Sequence, residues 1–450
     1  MYYSNELTER RCPMEKTSNR IRLHHARIIS MQGKASDEAA ALPVINGEIH
    51  ICNDKITYVG ASRSAPSAHW DREIDADGNI IMPGFKNAHT HSGMTFLRSY
   101  ADDLPLHNWL YDKVFPLEAL LTPEDIYWCS RLAIMEYLTS GITANFDMYQ
   151  KTDAIVRASV DSGYRTVLCG SVNNFVSSVE ELEQHYLRYN DHHPLITSQL
   201  GFHAEYTTSE EILRGIAELS HKYKAPVYTH NSETASEVAD CVKRTGYTPT
   251  VYMERLGLLD HGGGGFHCVH MTEEDLDIYK EKSLWVVTNP SSNLKLASGI
   301  APLTHMLDRG ISLAIGTDGP ASNNCLDMFR EMFLTTALQK VTNQDASAMD
   351  ADIVLRMAAS NGAPAMCLPD CDCLASGKQA DLIMLDIHQP NMQPINDIAK
   401  NIVYSGSKQN VLMTMVAGRI LYENGTYKIG EDPERISAKV NETIHRIARS

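Results

Sequence analysis

The sequence predicts an α/β fold, a (β/α)8 TIM barrel with a small composite β-sandwich domain built from both chain ends. Three observations predict it. Short apolar runs alternate with amphipathic helical segments over residues 83–375, and β-rich segments without helical periodicity occupy residues 20–82 and 376–430. Eight βα units fit a closed barrel, and no glycine-rich phosphate-binding motif supports an open doubly wound sheet.

The β-rich segments come first and last along the chain. Residues 1–19 are polar and predict a flexible extension, and residues 431–450 predict a polar terminal helix. Turn signals separate the early runs, which we expect to form an antiparallel sheet. The predicted strands outside the barrel are residues 21–29, 48–52, 55–59, 73–81, 380–385, 401–403, 411–417 and 419–422.

Helix-start and helix-stop signals mark the repeating βα units of the barrel. Thr122 offers a hydroxyl N-cap, Pro123 takes the first helical position, and Gly141 ends the helix that follows. A similar unit recurs at residues 208–229. The eight predicted barrel strands are residues 80–82, 142–146, 166–169, 199–202, 227–229, 265–269, 285–288 and 312–315.

Composition excludes several classes of function. The 450 residues include 40 Lys and Arg against 56 Asp and Glu, a formal charge of −16 that disfavours nucleic acid and anionic membranes as partners. No stretch approaches the roughly 20 apolar residues of a transmembrane helix. The first residues lack the apolar core of a secretion signal, so we expect a cytoplasmic protein with reduced thiols.

Ten cysteines are scattered along the chain, and three of them form a local cluster. Cys367, Cys371 and Cys373 lack a second pair at zinc-finger spacing. The pattern therefore favours a cysteine-rich surface turn over a metal site.

Histidine and aspartate recur where predicted barrel strands end. His89 and His91 follow the first strand at i and i+2, a spacing that points both side chains the same way on extended backbone. His230, His267 and Asp318 accompany the fifth, sixth and eighth strands. Barrel enzymes keep their active sites at this end, and imidazoles with a carboxylate suit zinc.

Glu233 lies three residues after His230. If the loop doubles back, the Glu233 carboxylate reaches the same centre and can serve as a general acid and base. The alternative interpretation is an exposed loop glutamate or a helix-capping partner.

Several motifs together resemble one enzyme family. The run at residues 83–91, PGFKNAHTH, is similar to the opening signature of the amidohydrolase superfamily. Within it, the chain resembles the 5-methylthioadenosine/S-adenosylhomocysteine deaminases and the related triazine hydrolases. The further matching motifs are FPLEALLTPEDIYW, THNSET, HCVHM, NPSSNLKLASGIAP, GTDGPASNN and SGKQADLIMLD.

This resemblance implies a role for each matching residue. One divalent ion is expected, most simply Zn²⁺ with Fe²⁺ or Mn²⁺ as alternatives, because His203 stands where relatives with two metal ions carry a modified lysine. Glu118 and His203 match residues that bind the nucleoside, and Trp109 is a candidate for the pocket mouth. The implied metal ligands are His89, His91, His230 and Asp318, and the implied catalytic residues are Glu233, His267 and Asp318.

The resemblance also implies a reaction. We expect water activated by the metal ion to displace ammonia from adenine nucleosides such as 5′-methylthioadenosine, S-adenosylhomocysteine, 5′-deoxyadenosine or adenosine, in a homo-oligomeric enzyme. Deaminases of this branch carry an arginine after the third strand, whereas here the first arginine of that region is Arg188. This difference keeps two alternatives open, a deaminase or chlorohydrolase of another ring (guanine, a pterin or a triazine) and a non-catalytic metal-binding barrel.

Overall fold

The computed structural model describes residues 19–33, 42–104 and 108–448. The predicted extension over residues 1–19 therefore lies almost wholly outside the described residues. The strands are β1 (Arg20–Ile29), β2 (Val44–Cys52), β3 (Lys55–Gly60), β4 (Arg72–Asp75), β5 (Ile80–Pro83), β6 (Phe85–Thr90), β7 (Ile142–Met148), β8 (Arg165–Cys169), β9 (Ile196–Ala204), β10 (Val227–Asn231), β11 (Gly263–His267), β12 (Trp285–Thr288), β13 (Ser312–Ile315), β14 (Leu382–Leu385), β15 (Val411–Val416), β16 (Arg419–Glu423) and β17 (Thr426–Tyr427).

The predicted barrel is confirmed. Strands β6 to β13 form one eight-stranded sheet in chain order, and every hydrogen-bonded neighbour is parallel. The backbone N–H groups of Thr317 and Asp318 both donate to the carbonyl of His89, which joins the last strand to the first. Since all eight strands point the same way, their carboxyl ends gather at one rim.

Helices connect the barrel strands, as the βα pattern predicts. Helix Pro123–Thr139 begins at the Thr122 N-cap, whose hydroxyl accepts the N–H of Asp125. The other α-helices are Phe115–Glu118, Thr152–Ser162, Val179–Tyr189, Glu210–Tyr223, Ala235–Thr245, Pro249–Arg255, Glu273–Glu281, Pro290–Lys295, Leu303–Asp308, Met328–Asn343, Ala351–Arg356, Gly362–Ala365, Ile398–Lys400 and Pro433–Ile447. Shorter 3-10 or wider π turns occupy Ser62–Ser64, Ser92–Leu97, Trp109–Val114, Glu205–Thr207, Met357–Asn361, Pro369–Cys371, Pro390–Met392, Asn401–Ser405 and Lys408–Asn410.

A second β unit contains strands from both chain ends, also as predicted. Its nine strands form one hydrogen-bonded sheet in the order β17-β16-β15-β14-β5-β1-β2-β3, with β4 beside β1. The expectation of a wholly antiparallel sheet is wrong, because β4 and β5 run parallel to β1. The connection after β3 crosses to the other side of β1. The strands that follow, β4 and β5, therefore run in the same direction as β1. The exact division into domains at residues 82, 376 and 430 stays a prediction.

Two predicted strands belong elsewhere. The sequence predicts residues 80–82 as the first barrel strand, but β5 pairs with β14 and β1, and the first barrel strand is β6. Gly84 separates them, and a Cβ there would lie 2.1 Å from the Thr143 side chain. Residues 401–403 are helical, because the run Asn401–Ser405 continues helix Ile398–Lys400 with Ile402 and Val403 buried. A short apolar run in the sequence does not show which sheet a strand joins, or whether the run forms a strand or a helical turn.

The cysteine cluster does not lie wholly on the surface. Cys371 is buried, and Cys367 and Cys373 are half-buried, because the turn packs against the barrel floor. Among the described residues, the three cysteines belong to no group of three or more side chains close enough together to hold a metal ion. Within the same residues, no helix has the length and apolar character needed to cross a membrane.

Candidate active site

Five side chains converge at the carboxyl ends of β6, β10, β11 and β13. The ligand atoms of His89, His230, His267 and Asp318 all lie within 4.8 Å of one another, and the four residues are buried. His91 joins them from the end of β6, with Nε2 at 3.1 Å from Asp318 Oδ1, and His89 Nε2 lies 3.4 Å from the same oxygen. The strand ends therefore assemble a compact set of imidazoles around one carboxylate.

Hydrogen bonds fix how three of the imidazoles face the centre. The Nδ1–H of His91 donates to the Met148 carbonyl at 2.5 Å, and that of His230 donates to the His203 carbonyl at 2.6 Å. His267 donates from Nδ1 to Asn293 Oδ1 at 2.7 Å. Because Nδ1 carries the proton in each ring, Nε2 is left as the lone-pair donor.

His89 supplies the test of whether this centre fits a metal ion. Its ring is stacked on Phe266, and neither ring nitrogen makes a hydrogen bond to any described residue. Burial lowers the pKa of His89 to about 3, so the imidazole is neutral. A buried polar group without a partner is costly, whereas a neutral imidazole is a favourable ligand for a borderline divalent ion. The donor set therefore fits such an ion.

Two serines orient the Asp318 carboxylate. Its Oδ2 accepts hydrogen bonds from Ser292 Oγ at 2.6 Å and Ser322 Oγ at 2.8 Å. Its Oδ1 accepts the Gly319 N–H at 2.7 Å and faces the imidazoles. The protein thus holds both oxygens, and Oδ1 remains turned toward the centre.

Glu233 lies beside this centre because its loop does double back. Its Oε2 is 3.9 Å from His267 Nε2, and its Oε1 accepts the Ser298 hydroxyl at 3.2 Å. The carboxylate of Glu237 accepts the backbone N–H groups of Ser232 and Glu233 and so holds the loop. Burial raises the pKa of Glu233, which favours a protonated acid at this position.

A cavity of about 420 Å³ opens over the centre. Glu118 lines it and accepts the Tyr149 hydroxyl at 2.6 Å, and burial raises the pKa of Glu118 to about 7. His203 lines it with Nδ1 bonded to Thr207, and burial lowers the pKa of His203 to about 4. Buried Trp109 forms part of the wall. The polar groups of the cavity are therefore few and fixed in position, as in small-molecule sites.

The predicted site residues all lie in this region. His91, Trp109, Glu118, His203, His230, Glu233, His267 and Asp318 line the cavity, and His89 lies directly beneath it. Arg188 does not contribute, because it pairs with Asp153 on the exterior. Sequence reasoning missed Tyr149, Ser298 and the two serines on Asp318. Tyr149 directly follows β7, so its place after a strand end was the available signal.

Comparisons with known proteins agree with this geometry. A model of the amidohydrolase family matches residues 80–421. The 5-methylthioadenosine/S-adenosylhomocysteine deaminase of Moorella thermoacetica is 42% identical over 413 residues, which cover 90% of this chain and 96% of that protein. The deaminase of the same name from Desulforamulus reducens is 38% identical over 439 residues, covering 96% and 99% of the two chains.

Solved structures extend the comparison. A zinc-bound adenosine deaminase from Xanthomonas campestris is similar with a TM-score of 0.89 and 31% identity, covering 96% of this chain and 98% of that one. A triazine hydrolase variant reaches a TM-score of 0.86 at 23% identity over 94% of this chain and 99% of its own, which shows a shared fold.

Proposed function

The chain belongs to the amidohydrolase family, and we propose that it is a metal-dependent hydrolytic deaminase of adenine nucleosides. The observation that carries the proposal is the position of Glu233, a buried acid beside the cluster of imidazoles and Asp318. The same cavity holds Glu118 and His203, which suit a ribose-bearing substrate. The named deaminase relatives at 42% and 38% identity support the same class of substrate.

We propose that His89, His91, His230 and Asp318 hold one divalent ion, Zn²⁺ in the first instance. The His89 nitrogens, which lack a hydrogen bond, and the Nε2 atoms of His91 and His230, which face the centre, support this assignment. When bound, such an ion supplies the Lewis acidity that makes water nucleophilic near neutral pH.

The side chains around the centre then move the protons of the reaction. The Glu233 acid donates its proton to a ring nitrogen of adenine, which makes the amino-bearing carbon electrophilic. Asp318 and His267 orient the attacking water, and Asp318 accepts its proton. The water oxygen bonds to that carbon, and the tetrahedral carbon then loses its amino group. Glu233, now a carboxylate, takes the proton of the added hydroxyl and passes it to the departing ammonia, which leaves a ring carbonyl. The water proton held by Asp318 returns to Glu233, and the product is the inosine-type nucleoside.

The cavity wall supports the choice of a nucleoside over a free ring. The Glu118 carboxylate is an acceptor suited to ribose hydroxyls, and Tyr149 holds it in place. His203 presents its other ring nitrogen without a charge, because burial lowers its pKa. Trp109 offers an aromatic surface to the substrate.

Ammonia release by the metal-loaded protein tests the proposal. The panel holds adenosine, 5′-deoxyadenosine, 5′-methylthioadenosine, S-adenosylhomocysteine, guanine, a pterin and an aminotriazine. We expect turnover of the adenine nucleosides and none of the free rings. If the protein turns over a free ring and no nucleoside, its substrate is a free heterocycle and not an adenine nucleoside. Glu118→Gln would then leave that activity unchanged.

We also propose a cytoplasmic, homo-oligomeric enzyme. The nine described cysteines are all free thiols, which supports a reducing compartment. Phe333 and Val341 are exposed on helix Met328–Asn343, which supports an association surface. Light scattering on the purified protein measures the oligomeric state directly, and a monomer would refute that part.

A further inference from the structure

Phe175 is an exposed aromatic residue that lines the cavity mouth. Its side chain is 74% exposed, and Val176 beside it lines the same wall. An apolar ring in water at the edge of a substrate cavity is a candidate contact for an apolar part of the ligand. The catalytic centre and Glu118 do not involve this part of the wall.

The loop that carries Phe175 is anchored on both sides. The side-chain oxygen of Asn173 accepts the N–H groups of Phe175 at 2.8 Å and Val176 at 3.0 Å. The Asn174 N–H donates to the Thr207 carbonyl, and the Asn174 side chain accepts the Ser209 N–H. These bonds tie the loop after β8 to the segment after β9, so the phenyl ring is presented from a fixed backbone.

The charges around the cavity would not receive an anionic group. Among the described residues that line it, Glu118, Glu233 and Asp318 are acidic, and none is lysine or arginine. An anion bound there would lose its hydration without gaining a charged partner, whereas an alkyl group would gain apolar contact.

We propose that the loop formed by residues 171–176 selects adenine nucleosides whose 5′ substituent is uncharged and apolar, with Phe175 as a specificity-determining residue. This inference rests on the proposed function. With the base placed at Glu233 and the ribose at Glu118, we place the 5′ substituent against Ser171, Phe175 and Val176, which line the same cavity.

Matched substrates test the inference. We would compare kcat/KM for 5′-deoxyadenosine, 5′-methylthioadenosine, 5′-butylthioadenosine, its analogue with a terminal carboxylate, and S-adenosylhomocysteine. We expect the butylthio compound to exceed the carboxylate analogue by at least about tenfold, since the carboxylate leaves a charge without a partner. Equal or faster turnover of the carboxylate analogue would overturn the inference and leave the deaminase proposal intact.

Variants locate the effect at Phe175. Phe175→Ser should lower kcat/KM for the butylthio substrate by about tenfold and leave 5′-deoxyadenosine within about twofold, because the latter has no substituent to contact. Phe175→Arg should raise kcat/KM for the carboxylate analogue relative to kcat/KM for the butylthio compound. Leu187→Ser is the control, since Leu187 is exposed on helix Val179–Tyr189 and does not line the cavity.

A second cavity lies next to the main one and contains a cationic side chain, so it suggests the experiment that would refute the proposal most directly. This space of about 180 Å³ shares Gln150, Ser171 and Val176 with the main cavity and is lined by Lys151. If S-adenosylhomocysteine is the best substrate and Lys151→Met removes that preference, the distal group is recognised by charge and not by Phe175. Absence of ammonia from every nucleoside would instead refute the proposed function itself.

Discussion

Glu233 is buried and lies beside His267 of the imidazole cluster. Burial raises its pKa, which favours the protonated form that a general acid needs. We expect Glu233→Gln to keep the metal content of the wild type and to lower kcat by about 10³-fold or more, because the amide can neither give nor take the proton. Steady-state kinetics and elemental analysis measure the two quantities. Glu274→Gln, on an exposed helix start, is the control. Activity within tenfold of wild type would exclude this role.

Because Glu118 lines the cavity, we expect it to make substrate binding depend on pH. Burial raises its pKa to about 7, and the Tyr149 hydroxyl, which favours the carboxylate, limits that rise. The carboxylate is the stronger acceptor for ribose hydroxyls, so KM for 5′-methylthioadenosine should increase as the pH falls below about 7. In Tyr149→Phe the increase should begin at higher pH. Initial rates measured at a series of pH values give KM for each variant. KM for 2′,3′-dideoxyadenosine, which lacks the ribose hydroxyls, should not change with pH. A wild-type KM independent of pH would contradict this assignment.

At the residue scale, the sequence was enough to identify the candidate metal ligands and the candidate proton donor. His89, His230 and Asp318 could be found because parallel strands place their last residues at one rim. Ser292 and Ser322 could not be found in the same way. They reach Asp318 only through the tertiary fold, Ser292 from the short helix Pro290–Lys295 and Ser322 from the turn after β13, and serine is common in such segments.

At the element scale, Asp125 links two helices that are far apart in sequence. Its carboxylate caps helix Pro123–Thr139 by accepting from Thr122, and it also accepts the Thr443 hydroxyl and Arg446 from helix Pro433–Ile447. Asp125→Ala should therefore lower the free energy of unfolding by about 2–3 kcal/mol, more than the ~1 kcal/mol of an N-cap alone. Urea denaturation measures it.

Ser178→Ala provides the comparison for that experiment. Ser178 caps helix Val179–Tyr189 through one hydrogen bond to the N–H of Glu181 and contacts no second helix through that bond. If both substitutions lower the free energy of unfolding by the same amount, the contacts of Asp125 with the terminal helix contribute nothing to stability. kcat should be unchanged in both variants, because neither residue lines the cavity.

Elements with strong local signals were predicted to within a few residues. Helix Pro123–Thr139 begins where the N-cap and proline place it, and β12 and β13 have the predicted bounds. The prediction for residues 80–82 names the wrong sheet, because burial on both faces is equally consistent with a barrel strand. Which sheet it joins depends on β14, about 300 residues later, and no local pattern records that pairing.

At the scale of the whole molecule, a buried ion pair joins the barrel to the second sheet. Arg165 on β8 donates from Nε to Asp381 Oδ2 at 2.6 Å and from Nη2 to Oδ1 at 3.1 Å. Asp381 precedes β14 and also accepts the Ala417 N–H. Burial alone would raise the pKa of Asp381, but Arg165, Lys86 and the Ala417 N–H together more than offset it, and the net pKa is lowered. The contribution to stability is therefore complete above the ordinary aspartate pKa and is lost as the pH falls through the lower folded value.

Removing one charge of this pair tests how tightly the two units are coupled. Asp381→Asn leaves the buried Arg165 guanidinium without its counter-charge and should lower the free energy of unfolding by about 3–5 kcal/mol at neutral pH. Arg165→Met combined with Asp381→Leu should recover most of that loss, because the double variant buries neither charge. Denaturant titrations followed by tryptophan fluorescence and by circular dichroism measure both effects. If the single substitution costs less than about 1 kcal/mol, or the double variant is no more stable than the single one, the pair does not couple the barrel to the sheet.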